Sequence, residues 1–182
     1  MFIAHELRQN NIIEYVLYMW QIEDLIRALD MDIDRIDRQI IRPYPVTDQQ
    51  RHQLREWYES LIDMMLKDGL KQSGHLPMIR NTVNDLEQLH QYLLTRGQDA
   101  AYNAKYLYVR PSIVYLKSRG THPAQATDVE TALIFMYGIM MLRRRQADIS
   151  PDTARTLEEI RKWMILLNRK YSEWVNDEFK IE

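Results

Sequence analysis

Cysteine is absent from this 182-residue chain, glycine occurs five times and phenylalanine three times. The first absence excludes disulfides, thiolate metal sites and cysteine nucleophiles. Scarce glycine leaves no phosphate-cradling loop, and there is neither a G-x-S-x-G elbow nor an H-E-x-x-H zinc helix. An excess of one charge is also lacking. The 24 basic and 26 acidic residues leave a net charge of −2, without the basic surplus that a general nucleic-acid binder sets against phosphate. Nucleic acid is therefore not an expected partner. No apolar run reaches the ~18 residues that span a bilayer, and the opening MFIAHELRQNN lacks the basic-then-apolar order of an export signal. The expectation is a cytoplasmic protein without membrane association.

What the chain does contain is helix pattern from end to end. From Ala132 to Leu142 it reads ALIFMYGIMML, uncharged, between the capping-box pattern Thr127-Asp128-Val129-Glu130 and the triplet Arg143, Arg144, Arg145. Leu133, Met136 and Met140 share one side of that helix, and Ile134, Phe135, Met141 and Leu142 cover the others. This predicts a central buried helix over about 128–146, sheathed by its neighbours, with Gly138 against another backbone. Six more helices are expected at about 10–29, 31–41, 48–68, 78–96, 99–119 and 151–176. Thr47-Asp48-Gln49-Gln50 reads as a capping box and Ser150-Pro151 as a cap followed by a first-turn proline. Asp68-Gly69, Ser73 to Pro77 and Arg119 to Pro123 read as short breaks rather than domain linkers. No segment has strand periodicity. The fold class expected is all-α, a single domain over residues 1–182 built as a bundle of about seven helices.

Several segments are familiar as well as helical. FIAHELRQNNIIEYVLYMWQIEDLIRALDMDIDRI, REWYESLIDMM, the Gly74-His75-Leu76 tripeptide, LEQLH and ALIFMYGIMMLRRR together resemble a family of uncharacterised proteins from Bacteroides and related bacteria, defined as a domain of unknown function. The most specific block is EYVLYMWQIEDLIRA. The resemblance implies a bacterial, roughly full-length helical domain. It brings no activity, substrate or catalytic residue.

Candidate site residues come from polar groups on apolar faces. In the 10–29 helix, Glu23 falls within the arc of Ile12, Val16, Met19, Trp20 and Ile26, with Arg27 one turn later. The spacing predicts a partly buried Glu23–Arg27 ion pair, or else one wall of a binding site. Glu87 and His90 have the Glu-x-x-His spacing of di-iron bundles, which also use a second Glu-x-x-His and two further glutamates, but the chain has no second copy of the motif. His90, among Ile79, Val83, Leu86 and Leu93, is expected to be a core histidine bonded to a neighbour; no metal is expected. Glu56, Glu59 and Asp63 resemble the magnesium-binding acids of all-α nucleotide pyrophosphohydrolases, yet lie opposite Leu54, Trp57, Leu61 and Met65 and read as a solvated face.

The 99–119 helix interleaves Lys105, Arg110, Lys117 and Arg119 with Tyr102, Tyr106, Tyr108 and Tyr115, a pattern able to hold a nucleotide or single-stranded nucleic acid by stacking and charge. Pro111 should bend this helix near Leu107 and open a cavity beside the tyrosines. Against that, Tyr102, Tyr106, Val109, Ile113 and Leu116 repeat at core spacing. His75 reads as a loop cap or the border of a cleft, and His5, His52 and His122 as solvated or locally bonded side chains. On the last helix, Ile165 and Leu166 point away from the stripe of Leu157, Ile160, Met164, Leu167 and Tyr171; the central helix or a second copy could cover them equally well, and the expectation is a homodimer that uses part of this helix.

The resulting expectation is a binding or interaction module acting as a homo-oligomer, without a cofactor. The alternative is a small-molecule or nucleotide-processing enzyme with a ligand pocket lined by Glu23, Arg27, His90, Tyr102, Tyr106 and Arg110.

Overall fold

A computed structural model describes residues 1–96, 99–119 and 126–176. Among the described residues the protein is all-α. The order is α1 (Phe2–Asn10), α2 (Ile12–Ala28), α3 (Ile33–Ile36) running into a π-helical turn (Asp37–Ile41), α4 (Asp48–Lys67), α5 (Pro77–Thr95), α6 (Ala100–Ser118), α7 (Asp128–Arg144) and α8 (Pro151–Val175). No described helix is long and apolar enough to cross a membrane. The chain divides into two compact units, Met1–Gln9 with Glu14–Asn81 and Asn10–Ile13 with Thr82–Glu182.

The first unit is organised by α2. Tyr15, Val16, Leu17, Met19, Trp20, Ile22 and Ile26 are buried, so the helix hides almost its whole circumference, Glu23 included. The expected 10–29 helix is preceded by α1, which sequence periodicity missed: only Ala4 is buried there, so almost no apolar stripe marks it. Asp30 and Met31 both adopt φ +57 and end α2. Asp32 then caps α3 by accepting from the N–H groups of Asp34 (2.8 Å) and Arg35 (3.1 Å). The expected 31–41 helix is thus a short α-turn widened into a π-turn, closed by Arg42 N–H to Asp37 O at 2.9 Å. Arg55 on α4 joins this segment to Glu59, bonding Asp34 at 2.8 Å and Glu59 at 3.1 Å.

Both halves of the Thr47–Gln50 capping box form at the start of α4. Leu54, Tyr58, Leu61, Ile62 and Met65 are buried, and Glu56 and Asp63 are exposed, in line with a solvated acidic face. Gly69 (φ +70) and Gly74 (φ +91) turn the chain from α4 towards α5, conformations that an L side chain strains to adopt.

The second unit is built from α5 to α8. On α6, Tyr102, Tyr106, Val109 and Ile113 face inward, and the helix runs on through an exposed Pro111. Asp99 caps α6 by accepting from Tyr102 N–H at 2.9 Å, and Ser150 caps α8 by accepting from Thr153 N–H at 3.2 Å. On α8 the buried residues are Leu157, Ile160, Trp163, Met164 and Leu167. Asn168 accepts the N–H of Ile12 at 2.8 Å and so satisfies one of the backbone donors at the start of α2. Ile165 is exposed, and Leu166 is half-buried.

The central-helix expectation needs correction at α7. That helix buries Val129, Thr131, Ala132, Leu133, Met136 and Ile139 on one side, while Ile134, Phe135 and Met141 are half-buried and Gly138 and Leu142 exposed. A Cβ built on Gly138 would meet nothing within 4 Å, so no described backbone packs against it. An uncharged run has no periodic marker of its solvent side, and half-exposed Met, Phe and Ile are tolerated at modest cost. At its start Thr127 accepts Glu130 N–H at 3.2 Å, without the reciprocal bond from the Glu130 carboxylate among the described residues. The expected break at Gly120 to Pro123, with His122, lies outside the described residues.

Candidate functional site

Each unit contains one polar cluster centred on a histidine. In the first, Glu23 is fully buried on α2 and spends both carboxylate oxygens on the α4–α5 connection. Its Oε1 accepts Leu76 N–H at 2.8 Å, and its Oε2 lies 2.6 Å from His75 Nδ1. The imidazole stacks on Trp20, with ring centroids 4.5 Å apart and planes 16° from parallel, and its side chain remains 35 % exposed. Arg27 holds the same connection by its backbone, donating to Leu70 O at 3.1 Å and to Gly74 O, while Asp24 takes its third contact at 2.9 Å.

The expected Glu23–Arg27 ion pair is therefore not formed. The two glycine turns present bare carbonyls to Arg27, and the start of α5 presents an N–H to Glu23, so each side chain has a better-placed partner than its helical neighbour. His75, read as a loop cap or cleft border, is held by a buried carboxylate from α2. Glu23 and Arg27 belong to one anchoring arrangement of the first unit.

In the second unit His90 is fully buried and its Nδ1 lies 2.7 Å from the hydroxyl of Tyr102. Trp163 Nε1–H donates to the same hydroxyl at 3.0 Å. Indole is a donor only, so the phenolic proton is left to bond His90 Nδ1, which places the neutral imidazole's proton on Nε2. That Nε2 has no hydrogen-bond partner among the described residues. It is enclosed by rings instead: His90 meets Tyr106 edge-on at 4.5 Å and Trp163 at 5.2 Å. Burial pulls the His90 pKa below its usual value, against the opposing pull of Glu87 and Asp128, and pushes the Tyr102 phenol up.

Tyr106 leads outward from this core, donating to Asp128, which also pairs with Lys117. Partial burial would raise the Asp128 pKa, but the bonds from Lys117 and Tyr106 outweigh it and hold the carboxyl low. Glu87 accepts Val129 N–H at 3.3 Å and Gln91 at 2.8 Å, so the Glu-x-x-His pair is split between a helix start and an aromatic core. No group of three metal-ligating side chains occurs among the described residues. Arg110 is exposed and acts on Tyr106 by its charge.

A third feature is apolar. Along the exposed side of α7 runs an open groove of about 410 Å³, lined by Leu116 of α6 and by Ile134, Phe135, Gly138, Met141 and Arg145 among others. It lies beside α7.

A family model described as "Domain of unknown function (DUF4924)" matches residues 1–178. The chain belongs to the DUF4924 family. No curated protein and no solved structure matches it. Membership leaves the chemistry of a DUF4924 chain to be read from its own residues. Of the six site residues expected from sequence, His90, Tyr102 and Tyr106 come together around Trp163, Arg110 stands outside them, and Glu23 and Arg27 meet the connection that carries His75. Trp163 was missed although its spacing from Ile160, Met164 and Leu167 is that of a core position. Asp128 was read only as part of a helix start, and its pairing with Lys117 and Tyr106 has no signal in the sequence.

Proposed function

We propose that the chain is a helical interaction module that associates with copies of itself in the bacterial cytoplasm. The observation that carries this reading is the groove along α7, an apolar surface left open while the polar residues of both clusters turn inward on each other. Glu23, His90 and Tyr102 are all but inaccessible, so a ligand would reach them only after the helices parted. The family match, running through both units, supports treating them as one functional domain. Light scattering on the untagged protein after size exclusion tests the reading. A mass at a multiple of the 22.0 kDa chain is expected; a mass of one chain throughout the micromolar range overturns it.

One observation favours the enzyme or small-molecule reading. His75 is oriented from behind by a buried carboxylate while its side chain is 35 % exposed, the arrangement of an oriented general base. A fragment screen followed through the His75 imidazole resonances tests it: fragments that shift those resonances support the reading, and a screen that leaves them unmoved overturns it.

A further inference from the structure

The open side of α7 is patterned by charge as well as by shape. At about 100° per residue Glu130, Ile134, Gly138, Met141 and Arg145 fall within roughly 80° of one another. The face therefore begins with an acid, is apolar in the middle and ends with a base. Neither the Glu130 nor the Arg145 side chain makes a hydrogen bond or ion pair among the described residues. Asp128, two positions before Glu130 on the same helix, is by contrast fully engaged by Lys117 and Tyr106.

The spacing is symmetric. The position midway between 130 and 145 falls beside Gly138, the one place on this face with no side chain and no atom within 4 Å of where a Cβ would stand. Ile134 and Met141 lie equally far to either side of that midpoint, both lining the groove. In a two-fold contact, if residue i meets residue j, then j also meets i. A face that reads acid, apolar, glycine, apolar, base satisfies that condition when it is laid antiparallel on a copy of itself.

We infer that two copies pair through α7, antiparallel, with the two-fold axis beside Gly138. Glu130 of each then faces the partner's Arg145, and Ile134 faces the partner's Met141. The missing side chain at Gly138 lets the helices approach at the crossing point, and the groove residues supply the apolar area that drives association. The terminal charges, about 22 Å apart along the helix, set direction more than affinity. A parallel pairing would put Glu130 against Glu130 and Arg145 against Arg145.

This inference rests on the self-association reading, and its test separates the two. In the full chain, Glu130→Arg and Arg145→Glu each place like charges at both ends of the crossing and should weaken dimerisation by about tenfold or more, whereas the double variant should recover it. Because the chain has no cysteine, a second measurement needs no background removal. Ile134→Cys mixed with Met141→Cys should form a cross-linked pair under mild oxidation, while either variant alone should not. Alone, the two equivalent positions sit about 10 Å apart along the axis, beyond disulfide reach. The cross-link also decides the matter if a charge reversal impairs folding. A wild-type dimer indifferent to both reversals, a double variant that fails to recover, or an absent mixed cross-link overturns the α7 pairing and leaves self-association standing. A wild-type monomer, including one whose groove takes an acidic amphipathic peptide instead, overturns both.

Discussion

His75 and His90 are both bonded through Nδ1, yet the two clusters use that bond in opposite senses. Glu23 is an acceptor, so it fixes a proton on His75 Nδ1 and leaves Nε2 for the partly exposed side of the ring. Tyr102, already occupied by Trp163, donates to His90 Nδ1 and so fixes the proton on the enclosed Nε2. The tautomer follows from the partner. A carboxylate on an almost wholly buried helix makes His75 an anchor for a connection, and a phenol–indole pair makes His90 a neutral member of an aromatic core.

The comparison breaks most severely at Trp163. Trp163→Ala removes the donor that commits Tyr102 to His90 and leaves a cavity among rings, and should cost about 3–5 kcal/mol in chemical denaturation. A loss below about 1 kcal/mol would show that the ring cluster carries no weight in stability.

At the other histidine, Glu23→Leu should cost about 1–3 kcal/mol, because Leu76 N–H and His75 Nδ1 lose their acceptor in a buried setting. Glu23→Gln should cost less. Its amide oxygen still accepts from Leu76 N–H, and its NH2 donates to His75 Nδ1 once the ring changes tautomer. Equal losses for the two variants, measured by urea titration, would argue that the carboxylate's charge rather than its hydrogen bonds matters.

The smallest effect is a slope. The folded-state pKa of His90 lies below its unfolded value, so the unfolded chain takes up the proton first on acidification. Stability is then fully present above about pH 6.5 and falls as pH drops below it, at no more than about 1.4 kcal/mol per pH unit. Asp128, whose pKa is lowered chiefly against its own burial by Lys117 and Tyr106, contributes its loss only at still lower pH. The His90→Phe chain should lack the first slope while keeping the second. Parallel pH profiles for the two proteins between pH 6.5 and the carboxylate range, about pH 4, would contradict a neutral His90.

Local signals in the sequence suffice where one turn of helix decides the outcome. The Thr47–Gln50 box, the Ser150 cap and the inward set of Tyr102, Tyr106, Val109 and Ile113 all follow from spacing within a few residues. Glu23 stood out because it broke an apolar arc, but its partners sit 52 and 53 residues away, and no periodicity points across that distance. Gly138 is illegible for a related reason. Its lack of a side chain permits a close neighbour, and nothing local says whether one is there.

By itself the sequence determined the all-α class, the main helix ends, the lack of an apolar run long enough to cross a membrane and the burial of Glu23 and His90, because each depends on composition or on the 3.6-residue period. The tertiary structure alone decided which atoms those two residues bond, that α2 rather than α7 is the helix buried nearly all round, and which side of α7 stays open. Those outcomes depend on what the rest of the chain places beside each face. An apolar helix states that it can be buried, and only its neighbours determine how much of it is.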